Sequence, residues 1–492
     1  MRLASVRGIL RFEKGYQLKT WVTKRCDQRA LTGSRMRMAA IPRGMSAFIL
    51  IAAALSITHA ARAEPKTVPA PYGLTARNAP NAYLHMPHLA SGQFPPLLSQ
   101  TGAFTDTRNL VPSEGLIPYD LVVAFWSDGA AKERWIAVPS GQIKFAPTGE
   151  WSFPKGTVFV KTFFLPTDER DPSIKRRLET RLLVCDSAGG VYGADYKWRS
   201  DDSDADLLPS SLTEAIPIKT ATGQIRQQTW YYPSRKDCLE CHNARAGGVL
   251  GVKTRQMNRP FTYPSGVTDN ELRTWNHIGL FTPGFKDADV EGFPRLAATD
   301  DATRSLVDRA RSYLDANCAQ CHRPGGTVAY FDARYDTPLG KQELIDGPVL
   351  IDQGIDRPRI ISPHDIWRSI VVMRMNTVGD IKMPPLARET IDQRGVALLR
   401  DWITSMPGRS VLDPPIISPA GGTYDGPIEL SLQESEPGAD IRYTLDGSVP
   451  GTADKRYEKP IKLTGPVVIR ARAYKDGFTR SITAQEAFVI GK

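Results

Sequence analysis

The stretch WSFPKGTVFVKTFF, residues 151–164, reads as a tight turn followed by one β-strand. Pro154-Lys155-Gly156 supplies the turn, and Thr157 to Phe164 is dense in β-branched and aromatic residues. Such side chains pack well on a pleated surface and lose χ1 freedom in a helix. Outward from it, Arg181-Leu182-Leu183-Val184 and Gly190-Val191-Tyr192-Gly193 continue the pattern around a Ser-Ala-Gly-Gly turn. Residues 90–232 are therefore expected to form a β-rich domain. Trp126, Trp135, Trp151 and Trp198 fall within it and read as core rather than as a substrate site. Asp201, Asp202, Asp204 and Asp206 lack the glycine and terminal glutamate of a calcium loop, so a solvated acidic loop is expected.

Beyond this domain the chemistry concentrates in two pentapeptides, Cys238-Leu239-Glu240-Cys241-His242 and Cys318-Ala319-Gln320-Cys321-His322. Each is a complete C-x-x-C-H, the attachment sequence of c-type haem. Two thioether links would hold each porphyrin on Cys238 and Cys241, or on Cys318 and Cys321. His242 and His322 would be the proximal iron ligands. Two covalently bound haem c groups are the expected cofactors. A C-x-x-C alone suits a redox disulfide or half a zinc site, and one zinc shared by both motifs would leave two of the six donors idle.

Residues 233–295 carry the first motif with little regular structure, apart from a short helix that starts near Asp269 or Asn270 and stops at Gly279. Residues 296–408 are expected to be a cytochrome c-like domain. Its first helix would run from Thr299 to Ala316, with Leu306, Ala310 and Leu314 on one face. Ser362-Pro363 would cap a second, bearing Ile366, Ile370 and Met373. Val396, Leu399, Trp402 and Ile403 mark a third, stopped by Pro407. Residues 411–490 return to short strands with Asp446-Gly447 and Asp476-Gly477 turns, as in an immunoglobulin-like sandwich. The expected fold class is thus multidomain α+β: a β-rich N-terminal domain, a mostly α-helical c-type cytochrome region with two haem motifs, and a C-terminal β-sandwich.

Residues 1–63 read as an export segment with an over-long start, and 64–89 as a leader or linker. Met36, Met38 and Met45 are possible starts, residues 45–58 are apolar but short, and Ala61-Arg62-Ala63 is an A-x-A cleavage site before Glu64. This segment holds 12 Lys or Arg and 2 Asp or Glu, so the whole formal charge of +10 resides in it. The remaining chain is near neutral, and its charge gives no reason to expect nucleic acid as a partner. No lipid anchor or integral membrane anchor is expected. Export and covalent haem agree, because c-type haem is attached outside the bacterial cytoplasm; a periplasmic location is expected.

Pro414 to Val489 resembles the chitobiase/β-hexosaminidase C-terminal domain, through Ile417-Ser418-Pro419-Ala420-Gly421-Gly422-Thr423-Tyr424, Tyr443-Thr444-Leu445-Asp446-Gly447-Ser448-Val449-Pro450 and Ile469-Arg470-Ala471. That resemblance implies an accessory β-sandwich, with glycan as a conceivable ligand and no glycosidase activity. Residues 90–408 resemble a family of exported dihaem c-type proteins of uncharacterised role. The similar stretches are residues 112–120, 126–130 and 177–181, Leu250-Gly251, Gln256-Met257-Asn258 and Met383-Pro384-Pro385. This resemblance implies a co-encoded exported parallel β-helix protein as a partner.

Each iron also needs a sixth ligand or an open position. Met383, 61 residues past His322 in a proline-stiffened loop, is expected at the second haem, ahead of Met373 and Met375. For the first haem His277 lies 35 residues past His242 and Met257 only 15; His277 is expected, with Met257 or an open site as alternatives. The functional expectation is a periplasmic carrier of single electrons to or from a redox partner protein. Its alternatives are a haem oxidoreductase acting on a substrate held by residues 90–232, and an adhesion or structural protein. No dinucleotide glycine motif or nucleophile elbow supports the enzyme.

Overall fold

The computed structural model describes residues 71–491 except Val328. The export segment expected over residues 1–63 therefore lies outside the described residues, as does the start of the 64–89 linker. From Pro71 onward the chain forms one compact unit.

Its centre is a six-stranded antiparallel meander. The strands are β1 (Leu116–Pro118), β2 (Ala131–Ala137), β3 (Val158–Pro166), β4 (Lys175–Cys185), β5 (Val191–Trp198) and β6 (Ala205–Leu207). The β-branched and aromatic run of residues 157–164 lies in β3, which pairs with β2 and β4. Alternation along each strand divides the side chains between two faces. One face buries Trp135, Val158, Val160, Leu182, Tyr196 and Trp198 beneath Leu98 and Phe104. The other buries Ile136 and Phe159 against Trp151, Leu272 and Trp275. Trp135, Trp151 and Trp198 are thus core residues, and Trp126 is half-buried. A hairpin, β7 (Leu212–Lys219) with β8 (Ile225–Tyr232), covers the far end of that second face with Ile216, Ile218 and Trp230. The acidic run is not solvated throughout: Asp204 is buried and accepts from the Ser99 amide and hydroxyl, while exposed Asp206 pairs with Arg199.

The mostly α-helical cytochrome region is not found, and the expected fold class is corrected to a β-rich chain. Among the described residues only four α-helices reach seven residues: α1 (Arg235–Cys241), α2 (Glu271–His277), α3 (Leu306–Asn317) and α5 (Gln393–Ser405). A shorter α4 (Ile370–Met375) lies between the last two. The reason is local competition. Asp301 accepts from the Thr303 amide and hydroxyl, closing a turn where the first long helix was expected. That helix starts instead behind Ser305, whose side chain accepts from the Asp308 amide. Likewise Asp365 takes the amides of Trp367 and Arg368, so the helix expected from Ser362 begins only at Ile370. The loops between are held by guanidiniums that satisfy backbone carbonyls: half-buried Arg311 donates to Tyr335 and Thr337, and buried Arg388 to Met375 and Thr377. A small core of Leu314, Leu344, Ile361, Leu399 and Trp402 joins α3, α4 and α5 to these loops.

The C-terminal part is the expected β-sandwich. A three-stranded sheet (Ile416–Ser418, Ile428–Gln433, Ile461–Leu463) faces a five-stranded one centred on Val467–Tyr474 and Ala484–Ile490. Leu430, Leu432, Ile469 and Phe488 fill the space between them. Asp356 ties the sandwich to the preceding region, pairing with Arg368 and with Arg472 and Arg480. No helix among the described residues is long and apolar enough to cross a membrane.

Candidate functional site

The first pentapeptide is delivered by α1, which starts two residues after β8. Ser234 caps it in a reciprocal box: its hydroxyl accepts from the Asp237 amide, and Asp237 accepts from the Ser234 amide. Tyr231, still on β8, donates to the same carboxylate at 2.7 Å and fixes the strand-to-helix angle. The helix then lays Cys238 over Gly193 of β5. A Cβ at Gly193 would come within 2.8 Å of the Cys238 sulfur, so only glycine allows this approach.

α1 stops at His242, whose backbone leaves the helical region (φ −87°, ψ 65°). The chain turns back through Gly247 and Gly248, both at positive φ. That brings the Gly248 carbonyl to His242, where it accepts from Nδ1 at 2.9 Å. With Nδ1 occupied as a donor, Nε2 carries the free lone pair, the arrangement an imidazole needs to bind metal. Burial, helped by the charge of Lys161, pulls the ring's pKa down to about 4. The ring is therefore neutral at pH 7.

The second pentapeptide follows α3, with Cys318 as its C-cap. The His322 amide donates to the Cys318 carbonyl, as the His242 amide does to Cys238. Phe331 stacks on the His322 ring at 4.2 Å. Burial, with the nearby charge of Arg374, lowers this pKa also to about 4. Here Nδ1 is buried without a partner.

The two motifs meet, which nothing in the sequence announces. The Cys241 and Cys321 thiols lie close enough to act on each other's ionisation. Arg323, next to His322, donates to the Arg245 carbonyl at 3.0 Å and pairs with Glu150 at 2.7 Å, clamping the two loops together. Arg255 and Asp315, both almost fully buried, join the segment after the first motif to α3.

This contact sets the sulfurs apart chemically. The neighbouring Cys241 thiol stabilises the Cys321 thiolate and lowers its pKa to about 7, whereas burial pushes Cys318 up to about 12. In chain made without haem attachment, iodoacetamide at pH 7 is expected to label Cys321 first, well ahead of Cys318 and of Cys241, whose thiol the contact with Cys321 and burial push up, since the thiolate is the nucleophile. Peptide mapping with time would read the order; equal rates at Cys321 and Cys318 would refute the contact.

The expected sixth ligands are placed differently. Met383 is half-buried, its amide donating to the Arg374 carbonyl at 3.0 Å, while Arg374 Nε donates to Ile381. Arg374 thus belongs both to the Met383 loop and to the surroundings of His322. Met375 is core, and Met373 packs against that core. His277 is exposed at the end of α2, its ring stacked on Tyr72 at 3.6 Å and nearly parallel. Met257 has 0% exposure and packs with Leu272 and Trp275.

Among the described residues no group of three or more His, Cys, Asp or Glu side chains is disposed to hold a bare metal ion. This removes the support for a shared zinc site. A haem fits the residues better, because it needs one imidazole and two sulfurs per iron, with the porphyrin supplying the other nitrogens. His242 has the correct free nitrogen.

Residues 419–485 match the chitobiase/beta-hexosaminidase C-terminal domain family. No curated protein and no solved structure matches the chain.

Proposed function

We propose that this protein is an exported dihaem c-type electron carrier. The observation that carries the reading is the pairing in space of two intact C-x-x-C-H motifs, one with its histidine already held by a carbonyl on Nδ1. When bound, each haem supplies a reversible one-electron couple. The chain's own residues do the rest. Cys238, Cys241, Cys318 and Cys321 fix the two groups covalently, and His242 and His322 offer neutral imidazoles on the proximal side. Met383, in the loop that Arg374 holds, would offer a thioether to the second haem. The expected location is the periplasm, and the resemblance of residues 90–408 to exported dihaem proteins belongs to this proposal. So do a redox partner, a co-encoded parallel β-helix protein and glycan binding by the C-terminal sandwich. His277 at the first haem would require its stack on Tyr72 to open, and Met257 would require the core around Trp275 to open.

The deciding measurement is the spectrum of the oxidised and reduced protein with and without carbon monoxide. A carrier with both irons six-coordinate is expected to show the reduced c-type bands unchanged by carbon monoxide. A carbon monoxide shift in half of the haem would mark an open iron and favour a haem oxidoreductase.

A further inference from the structure

Trp126-Ser127-Asp128, just ahead of β2, binds both the end of α3 and the loop that carries Met383. The Trp126 amide donates to Asn317 Oδ1 at 2.7 Å. Asn317, 1% exposed, is the last residue of α3 and directly precedes Cys318. Two residues on, the Asp128 carboxylate meets the far end of the loop between α4 and α5. Its Oδ1 accepts from the Glu389 amide at 2.9 Å, the Thr390 amide at 2.7 Å and the Thr390 hydroxyl at 2.9 Å. The Glu389 amide also faces Oδ2, at 3.1 Å. The Trp126 indole N–H adds a longer contact, 3.4 Å, to the Thr390 carbonyl.

Asp128 is itself fixed. It is 5% exposed and stands at φ 50°, a left-handed conformation that aspartate tolerates better than most residues. Its carbonyl accepts from Gln228 Nε2 on β8 at 2.8 Å. A carboxylate on which amide and hydroxyl donors converge is a strong and directional anchor. Within the loop that anchor reaches Met383 by two routes. Glu389 pairs with Lys382, the residue before Met383, at 2.8 Å. Arg388, next to Glu389, holds the Met375 and Thr377 carbonyls, and Met383 donates its amide to the adjoining Arg374 carbonyl.

We infer that Asp128 is a positioning residue for Met383. Through Glu389 and Thr390 it holds the loop in the place from which the thioether ligates the second iron, while Trp126 holds the end of α3 that presents Cys318 and His322. The inference rests on the Met383 reading above. It gives the N-terminal sheet a task at the second haem. The attachment motif and the methionine loop are both referred to one short rigid segment, so their spacing does not depend on the loop alone.

Imidazole added to the oxidised protein competes with the thioether, and its apparent affinity includes the cost of moving the loop aside. Asp128→Gly removes the carboxylate without strain at positive φ. Secreted with the haem-attachment machinery, this variant is expected to keep two haems by mass. Imidazole should abolish its near-infrared sulfur-to-iron charge-transfer band at about tenfold lower concentration, as the loss of one hydrogen bond to a charged group implies. The redox wave that Met383→Ala lowers should fall in Asp128→Gly too, with the other wave unmoved. Asp128→Asn keeps Oδ1 and is expected to return both readings toward the wild type. Wild-type imidazole affinity and potentials in Asp128→Gly, beside a band lost in Met383→Ala, would overturn the inference and leave the Met383 reading standing. Both waves moving together in Asp128→Gly would also overturn it, since Asp128 would then only join parts of the fold. A band that survives Met383→Ala would overturn both. Should Asp128→Gly fail to accumulate, Thr390→Val removes one donor to the same oxygen and is read in the same way.

Discussion

Protein secreted with the haem-attachment machinery is expected to have an intact mass two haems above that of the chain beginning at Glu64. The haem should stay with the protein in acid–acetone. The effect is all-or-none, because each C-x-x-C-H either holds its porphyrin by two thioether bonds or does not. A thiol titration under denaturing conditions checks it independently. Without haem the chain from Glu64 has five thiols, Cys185, Cys238, Cys241, Cys318 and Cys321; with both haems only Cys185 should react. Extractable haem, one added haem or five reactive thiols would each count against the proposed function. The meeting of Cys241 and Cys321 gives a stricter form of the test. If the motifs instead served as a redox pair, the same thiols would be lost with no gain in mass beyond the chain, and dithiothreitol would return them.

Met383→Ala is expected to abolish the near-infrared sulfur-to-iron charge-transfer band of the oxidised protein and to lower the potential of one haem. The thioether favours ferrous iron, and its loss should cost on the order of 0.1 V, a fraction of the ≈ 0.8 V that axial ligands span. The other wave should stay, since its iron is held by the other motif. An intact band would move the ligand to another methionine. Met375 is buried on α4 against the core around Leu399, so its substitution should first lower stability by about 2–5 kcal/mol. That difference separates a ligand from a packing residue: Met383, half-buried in a loop, should lose the band with little loss of stability.

The strands and the motifs were legible in the sequence because their information is local. The run of residues 157–164 alternates on a pleat whatever lies beside it, and the aromatic and β-branched content of β3 to β5 follows directly. The C-terminal sandwich was legible for the same reason, with its Asp-Gly turns between alternating strands. A C-x-x-C-H is likewise complete within five residues. Helix starts were not legible. Asp301 and Asp365 compete for the amides that Thr299 and Ser362 were expected to organise, and hydrophobic periodicity does not register that competition. The loops of residues 233–408 looked helical in a few apolar repeats, but their carbonyls are satisfied by arginines distant in sequence, such as Arg311 and Arg388.

By itself the sequence determined where the two C-x-x-C-H motifs stand in the chain and which segments are pleated. Only the tertiary structure decided where those pieces stand. It set Cys241 beside Cys321, 80 residues on, and turned the Gly248 carbonyl to His242. It placed Cys238 on a glycine of β5. In the sequence Lys161 is one more polar residue in an alternating strand. Its surroundings depend on β2, β4 and β5 bringing Arg134, Arg181 and Asp195 into register around it. Attachment chemistry is a property of five consecutive residues. The cost of a buried charge belongs to the surroundings, and those are assembled from strands far apart in the chain.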